Sequence, residues 1–308
     1  MALLDALRVL TDFDARGPLP PCDLDELADV LDAHGLAPLA SWQLESRRLG
    51  LGVPMSFRER LLTVFQGVMN DNVFRMMTLK AVLRGVEVPA VVLDGAAYVD
   101  WLYPHLAWRP VGELRLAVRG DDGERFAAGA KPAGFELRER GPGGHTAVFS
   151  DGRVEVRLQE GLVAGKQEDH GLFERAEPYR VVGPSAARPS AADALLVSVA
   201  DVARMGLQAP LLAWLDLREL VLRVVPDAAR TVLERAAAAG LSRALRGAMA
   251  LTGHFFPAVA GRAAALAPRL SRPEELAVDA LVDAARDPAR LRRLRGTEEA
   301  ARLLVSPV

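Results

Sequence analysis

Four charged residues sit at alternating positions of two short stretches that read as strands: Glu113 and Arg115 in E-L-R-L-A-V, Glu155 and Arg157 in R-V-E-V-R-L. In an extended chain successive side chains point to opposite faces, so Leu114, Leu116 and Val118 share one face while Glu113 and Arg115 share the other. Val154, Val156 and Leu158 repeat the pattern against Arg153, Glu155 and Arg157. If both strands lie in one sheet, Glu113, Arg115, Glu155 and Arg157 gather on a single charged face. Such a face can do three things. It can form a cross-strand ion-pair ladder, worth roughly 0.2–1 kcal/mol per pair; it can bind phosphate through Arg115 and Arg157; or it can support catalysis through Glu113 and Glu155.

Other residues with chemical potential carry weaker signals. Gly95 and Ala96 open a helix after V-V-L-D, and backbone N–H groups at a helix start attract anions, although Asp94 beside them opposes this. Asp121 and Asp122 fit a helix cap better than a metal site. His105, His145 and His170 are scattered and lack the i, i+4 spacing of a helical zinc site. G-P-G-G-H at Gly141–His145 lacks the Lys-Ser/Thr of a phosphate loop and falls in a hairpin. Trp101, Tyr103 and Trp108 fit packing between sheet and helices as well as a pocket wall. The basic stretch 286–295 reads as a solvated helix face.

The elements that must position these residues follow from changes of period. Leu3, Leu4, Leu7 and Leu10 have helical spacing, and Asp23 caps a helix that stops at Gly35. A helix from Leu39 to Leu49 follows. Ser56 is the expected cap of a long helix to Arg84, whose Leu61, Leu62, Phe65, Val68, Met69, Val73 and Met76 form an expected core stripe. After Gly85 the continuous apolar run V-P-A-V-V-L reads as a buried strand, then a helix from Ala96 to Leu102, the strand Glu113–Val118, and a helix through Ala130. Three antiparallel strands, Phe135–Arg140, Thr146–Ser150 and Arg153–Leu158, follow, the last two joined by the Asp151-Gly152 turn. Periodicity fades from Glu160 to Ser190, which predicts a linker or lid. Helices are predicted over Ala191–Met205, Leu211–Val224, Asp227–Ala239, Ser242–Leu251, Phe255–Leu266 and Pro273–Ala285.

The 308 residues, half of them hydrophobic, suffice for a sizeable core, and the net charge of −2 gives no bulk attraction to nucleic acid or anionic membrane. Cys22 is the lone cysteine, so the chain has no intrachain disulfide and no thiolate cluster. No signal peptide and no run of about 18 apolar residues is recognised, so a cytoplasmic protein is expected.

In frame and order the chain resembles the bacterial nucleotidyltransferase-fold proteins related to minimal nucleotidyltransferases. That family has a strand ending in Lys-Gly, a Tyr-Pro, an Arg before an Asp-x-Asp strand, and a later Asp-x-His strand. The matching positions here are Asp94-Gly95, Tyr103-Pro104, Arg109, Glu113-Leu114-Arg115 and Glu155-Val156-Arg157, with A-W-L-D-L at Ala213–Leu217 fitting the helical C-terminal half. The resemblance implies an α+β protein with a small mixed sheet, helices on one face, over residues 86–160. Helical regions at 1–85 and 191–308 would flank it, with 161–190 as linker or lid.

The resemblance also implies site residues: catalytic positions Glu113, Arg115 and Glu155, and nucleotide-binding positions Gly95, Ala96, Arg109 and Arg157. Family members hold two metal ions on carboxylates of two adjacent strands. Here the middle carboxylate is Arg115, charged at every accessible pH, while the family's Lys is Asp94 and its His is Arg157. The leading expectation is therefore a pseudoenzyme that binds a nucleotide or a protein partner, or acts as a scaffold, without a cofactor. The alternative is an active nucleotidyltransferase with Mg2+ on Glu113 and Glu155, moving a nucleoside monophosphate from an NTP to a hydroxyl of a small molecule or protein. An interaction protein that binds through its C-terminal helices is a further reading.

Overall fold

The protein is described from a computed structural model covering residues 2–47, 49–163, 170–285 and 304–305. The basic stretch 286–295 lies outside the described residues. Two compact units emerge, one built from residues 1–68, 107–109 and 198–308, the other from 69–106 and 110–197.

The second unit contains a seven-stranded mixed sheet. Its strands are β1 Ala90–Leu93, β2 Leu114–Ala117, β3 Glu136–Arg140, β4 Thr146–Ser150, β5 Glu155–Gln159, β6 Glu177–Pro178 and β7 Ala186–Arg188, in the order β3-β4-β5-β2-β1-β7-β6. All four residues of β1 are buried, which suits a strand that is apolar throughout and flanked by strands on both sides. The edge strand β3 is exposed along its length and carries Glu136, Arg138, Glu139 and Arg140 with a bulge between Leu137 and Glu139, features that discourage edge-to-edge pairing. Asp151 shapes the turn before β5, its carboxylate accepting from the N–H groups of Arg153 and Val154 at 2.8 Å each. Within 161–190 the chain forms a helix, His170–Arg175, and the two strands β6 and β7. Strand β7 pairs parallel with β1, so part of this stretch belongs to the sheet.

The first unit is helical. Ala2–Thr11, Leu24–Ala33, Ala37–Ser46 and the start of Met55–Gly85 assemble with Leu211–Arg223, Ala229–Ala238, Ser242–Phe255, Ala260–Ala265 and Arg272–Ala285. Asp23 caps its helix, accepting from Glu26 N–H at 3.0 Å. Arg8 donates to the carbonyls of His254 and Phe255, satisfying the end of Ser242–Phe255. Arg218 lies over the rings of Phe13 and Phe256 and donates to the Thr11 carbonyl at 2.6 Å. The fold is α+β, with helical regions at both ends of the chain.

Three local expectations need correction. The long helix starts at Met55, so Ser56 lies inside it rather than capping it. In its apolar stripe only Leu61 is buried; Leu62 and Val73 are exposed, and Phe65, Val68, Met69 and Met76 are intermediate. This helix passes from one compact unit to the other at Val68–Met69, and its later buried positions are Asn72, Leu79, Val82 and Leu83 rather than the residues of the stripe. Asp122 occupies the N-cap of Gly123–Ala130 but makes no side-chain cap; its carboxylate pairs with Arg125 at 2.7 Å instead.

Candidate functional site

Strand register brings the charged residues together. β2 runs parallel to β5 with Arg115 opposite Arg157, and antiparallel to β1 with Leu93 opposite Arg115. The C-terminal end of β1 therefore meets the N-terminal ends of β2 and β5, and Asp94-Gly95-Ala96 leaves β1 at that edge.

Two guanidiniums side by side on neighbouring strands repel unless each finds a counter-charge. Arg157 donates from Nε to Glu113 Oε1 at 2.6 Å, a diagonal cross-strand pair at a half-exposed position. Arg115 is buried, with 5 % of its surface exposed. It donates from Nη2 to Gln159 Oε1 at 3.0 Å and lies 3.8 Å from Asp94 Oδ2. Gln159 is itself anchored, its Nε2 donating to the carbonyls of Gly161 at 2.6 Å and Leu162 at 3.3 Å. The charge exchange is thus only partly a ladder between the two strands. Glu155 is exposed and stands outside it, and the carboxylate serving Arg115 comes from the end of β1.

Asp94 adopts φ 53° and ψ −143°, a conformation that costs a non-glycine residue about 1–3 kcal/mol and collects at functional loops. It leads into the short helix Gly95–Tyr98, which ends before the expected Leu102. Gly95 and Ala96 are buried, and the Ala96 carbonyl accepts from the Tyr179 hydroxyl at 3.0 Å. Burial, reinforced by Asp100 at 2.9 Å, pushes the Tyr179 phenol well above its usual range, so it remains a neutral donor that fixes this loop.

Arg109 is not grouped with these residues. It belongs to the helical unit, where its guanidinium grips Asp216 through Nε at 3.0 Å and Nη2 at 2.8 Å, both side chains nearly excluded from water. Asp216 is the acid of A-W-L-D-L, so two separate parts of the sequence resemblance meet in one buried ion pair. Trp108, next to Arg109, packs against Phe13 and Trp42 in the same unit.

Among the described residues, no group of three or more His, Cys, Asp or Glu side chains is placed to hold a metal ion. No described helix is long and apolar enough to cross a membrane.

A family model described as uncharacterised nucleotidyltransferase matches residues 20–257, most of the chain. The chain belongs to this nucleotidyltransferase family. No curated protein and no solved structure gives a match. The matched span includes the whole sheet, both strands of the charged face, and the Arg109–Asp216 pair.

Sequence reasoning missed Gln159 and the role of Asp94 as counter-ion. A signal for Gln159 was present: it lies two residues after Arg157 on the same strand, hence on the same face. Nothing in local sequence marks Asp94 as a partner of Arg115, because that proximity depends on the β1–β2 register.

Proposed function

We propose that this nucleotidyltransferase-family chain no longer performs metal-dependent transfer and works as a binding or scaffolding homologue. The observation that carries this reading is the buried Arg115 guanidinium, held by Gln159 and facing Asp94 where the family pattern has its middle carboxylate. A dication brought there would meet a fixed positive charge in a poorly solvated place, where repulsion is weakly screened. Glu113, which would have to serve as a ligand, is already engaged by Arg157 at 2.6 Å. The residues present therefore do not fit a two-metal centre.

What this face can do is recognise negative charge. Nucleotide binding, the property the family implies, would use Arg157, with Arg115 as a fixed positive centre behind it and Gly95 and Ala96 shaping the adjoining loop. A protein partner with an acidic segment could use the same guanidiniums. The catalytic alternative draws its support from the exposed Glu155 carboxylate and the strained Asp94 backbone. In that reading Glu113 and Glu155 would hold Mg2+, which would supply charge neutralisation at the NTP phosphates.

Calorimetric titration of the full chain with ATP and GTP, with magnesium and then with EDTA, separates the two. The proposal expects equal affinity in both buffers and no pyrophosphate release. Magnesium-dependent binding with pyrophosphate release that Glu113→Gln abolishes would refute it.

A further inference from the structure

The opposite end of β2 and β5 holds a second cluster of charged side chains. Beyond β2 the chain continues through Arg119 to Asp121, β5 runs out at Glu160, and β4 begins beside His145. Together with the end of β3 these segments surround an open cleft of about 270 Å³. Arg119 is four residues past Arg115 along the strand direction, roughly 13 Å away at a strand's rise per residue. The charged lining of the cleft is therefore distinct from Glu113 and Arg115, although Gln159, which accepts from Arg115, lines the cleft too.

His145 and Glu160 form a hydrogen-bonded pair in the cleft, Nδ1 to Oε2 at 2.5 Å. Each is seated on a glycine. A Cβ on Gly143, where φ is 73°, would stand 3.0 Å from the imidazole Cδ2, and a Cβ on Gly120 would stand 3.2 Å from Glu160 Oε1. With Nδ1 committed to Glu160, Nε2 is the nitrogen left to meet a ligand. Two guanidiniums join it. Arg140 is exposed at the end of edge strand β3, and Arg119 lies 5.1 Å over the Phe173 ring. Neither makes an ion pair among the described residues. The exposed carboxylates of Asp121 and Glu124, from the turn before Gly123–Ala130 and its start, also line the cleft, Asp121 only two residues from Arg119.

We propose that this cleft binds the phosphate monoester of a small polyhydroxy compound, a sugar phosphate in chemical class. Two guanidiniums match a phosphate dianion, while His145 Nε2, left as an acceptor once Nδ1–H is given to Glu160, suits a donor hydroxyl of the ligand. The pair of carboxylates in the same cleft matches vicinal hydroxyls, which donate to them. A bare anion would gain from the first set and be repelled by the second, so the body of the ligand must carry donors. The volume suits a ligand of about sugar-phosphate size.

The test titrates the full chain with inorganic phosphate and with ribose 5-phosphate, reading affinity by calorimetry and the His145 imidazole resonances by NMR. Both ligands are expected to shift those resonances, with ribose 5-phosphate binding at least about tenfold more tightly. Arg140→Gln removes a charge-assisted contact from an exposed edge position and should weaken both ligands about tenfold. Glu124→Gln should weaken only the sugar phosphate, and Glu113→Gln neither, which keeps this outcome independent of the site proposed above. Unmoved His145 resonances, affinities indifferent to Arg140→Gln, or equal affinity for the two ligands would each overturn the proposal.

Discussion

Arg115 and Arg109 are two arginines at family-pattern positions that the fold treats differently. Arg115 sits in the sheet with an amide partner at 3.0 Å and a carboxylate at 3.8 Å. Arg109 is clamped by Asp216 through two short hydrogen bonds in the helical unit. For a pair this buried, removing one partner strands the other charge, which costs about 3–5 kcal/mol, whereas replacing both with apolar residues of similar size is often near neutral. Asp216→Asn should therefore lower the urea midpoint strongly, and the double variant Arg109→Met, Asp216→Leu should recover most of the loss. Equal destabilisation by the single and double variants would show that the pair does more than neutralise charge. The nucleotide-binding role expected of Arg109 from the resemblance would have to compete with this clamp.

At the scale of elements, most helices of the C-terminal half were readable because Gly206, Pro226 and Gly240 interrupt sequences of clear 3.6-residue period, and the structure places helix ends beside each; Gly253, expected to stop the helix from Ser242, lies inside Ser242–Phe255 instead. The alternating strands around Arg115 and Arg157 were readable for the same reason. Strands β6 and β7 were not, because two or three residues carry no period and their pairing is set by β1. The stripe of Met55–Gly85 misled, since an apolar face predicts burial only where something packs on it. Helix-to-helix contacts also carry a pH signature. Arg246 on Ser242–Phe255 donates to Glu275 on Arg272–Ala285 at 2.7 Å, and this hydrogen bond holds the Glu275 carboxyl below its usual range. With the folded value depressed, the unfolded chain takes up the proton first, so this contribution is complete above about pH 4.3 and fades as pH falls through the folded value. Acid unfolding of Glu275→Gln should accordingly show a shallower loss of stability below about pH 4.3 than the parent chain. An unchanged profile would place the acid sensitivity elsewhere.

On the scale of the whole molecule, the family frame is present over most of the chain, and the proposal is that the charges at its functional positions have changed. Sequence order, a mixed sheet and a family match over residues 20–257 agree with one another. The four charged residues were legible as one face, but which charge answers which was not: the outcome depends on register, burial and the two-residue reach of Gln159. The central claim is that a fixed guanidinium has displaced a bridging ligand. Crystals soaked with manganese and a non-hydrolysable ATP analogue, measured at the manganese edge, test it most directly. The account predicts no anomalous peak between Glu113 and Glu155, with Arg115 still bonded to Gln159; two manganese ions bridging those glutamates, with Arg157 swung away from Glu113, would contradict it.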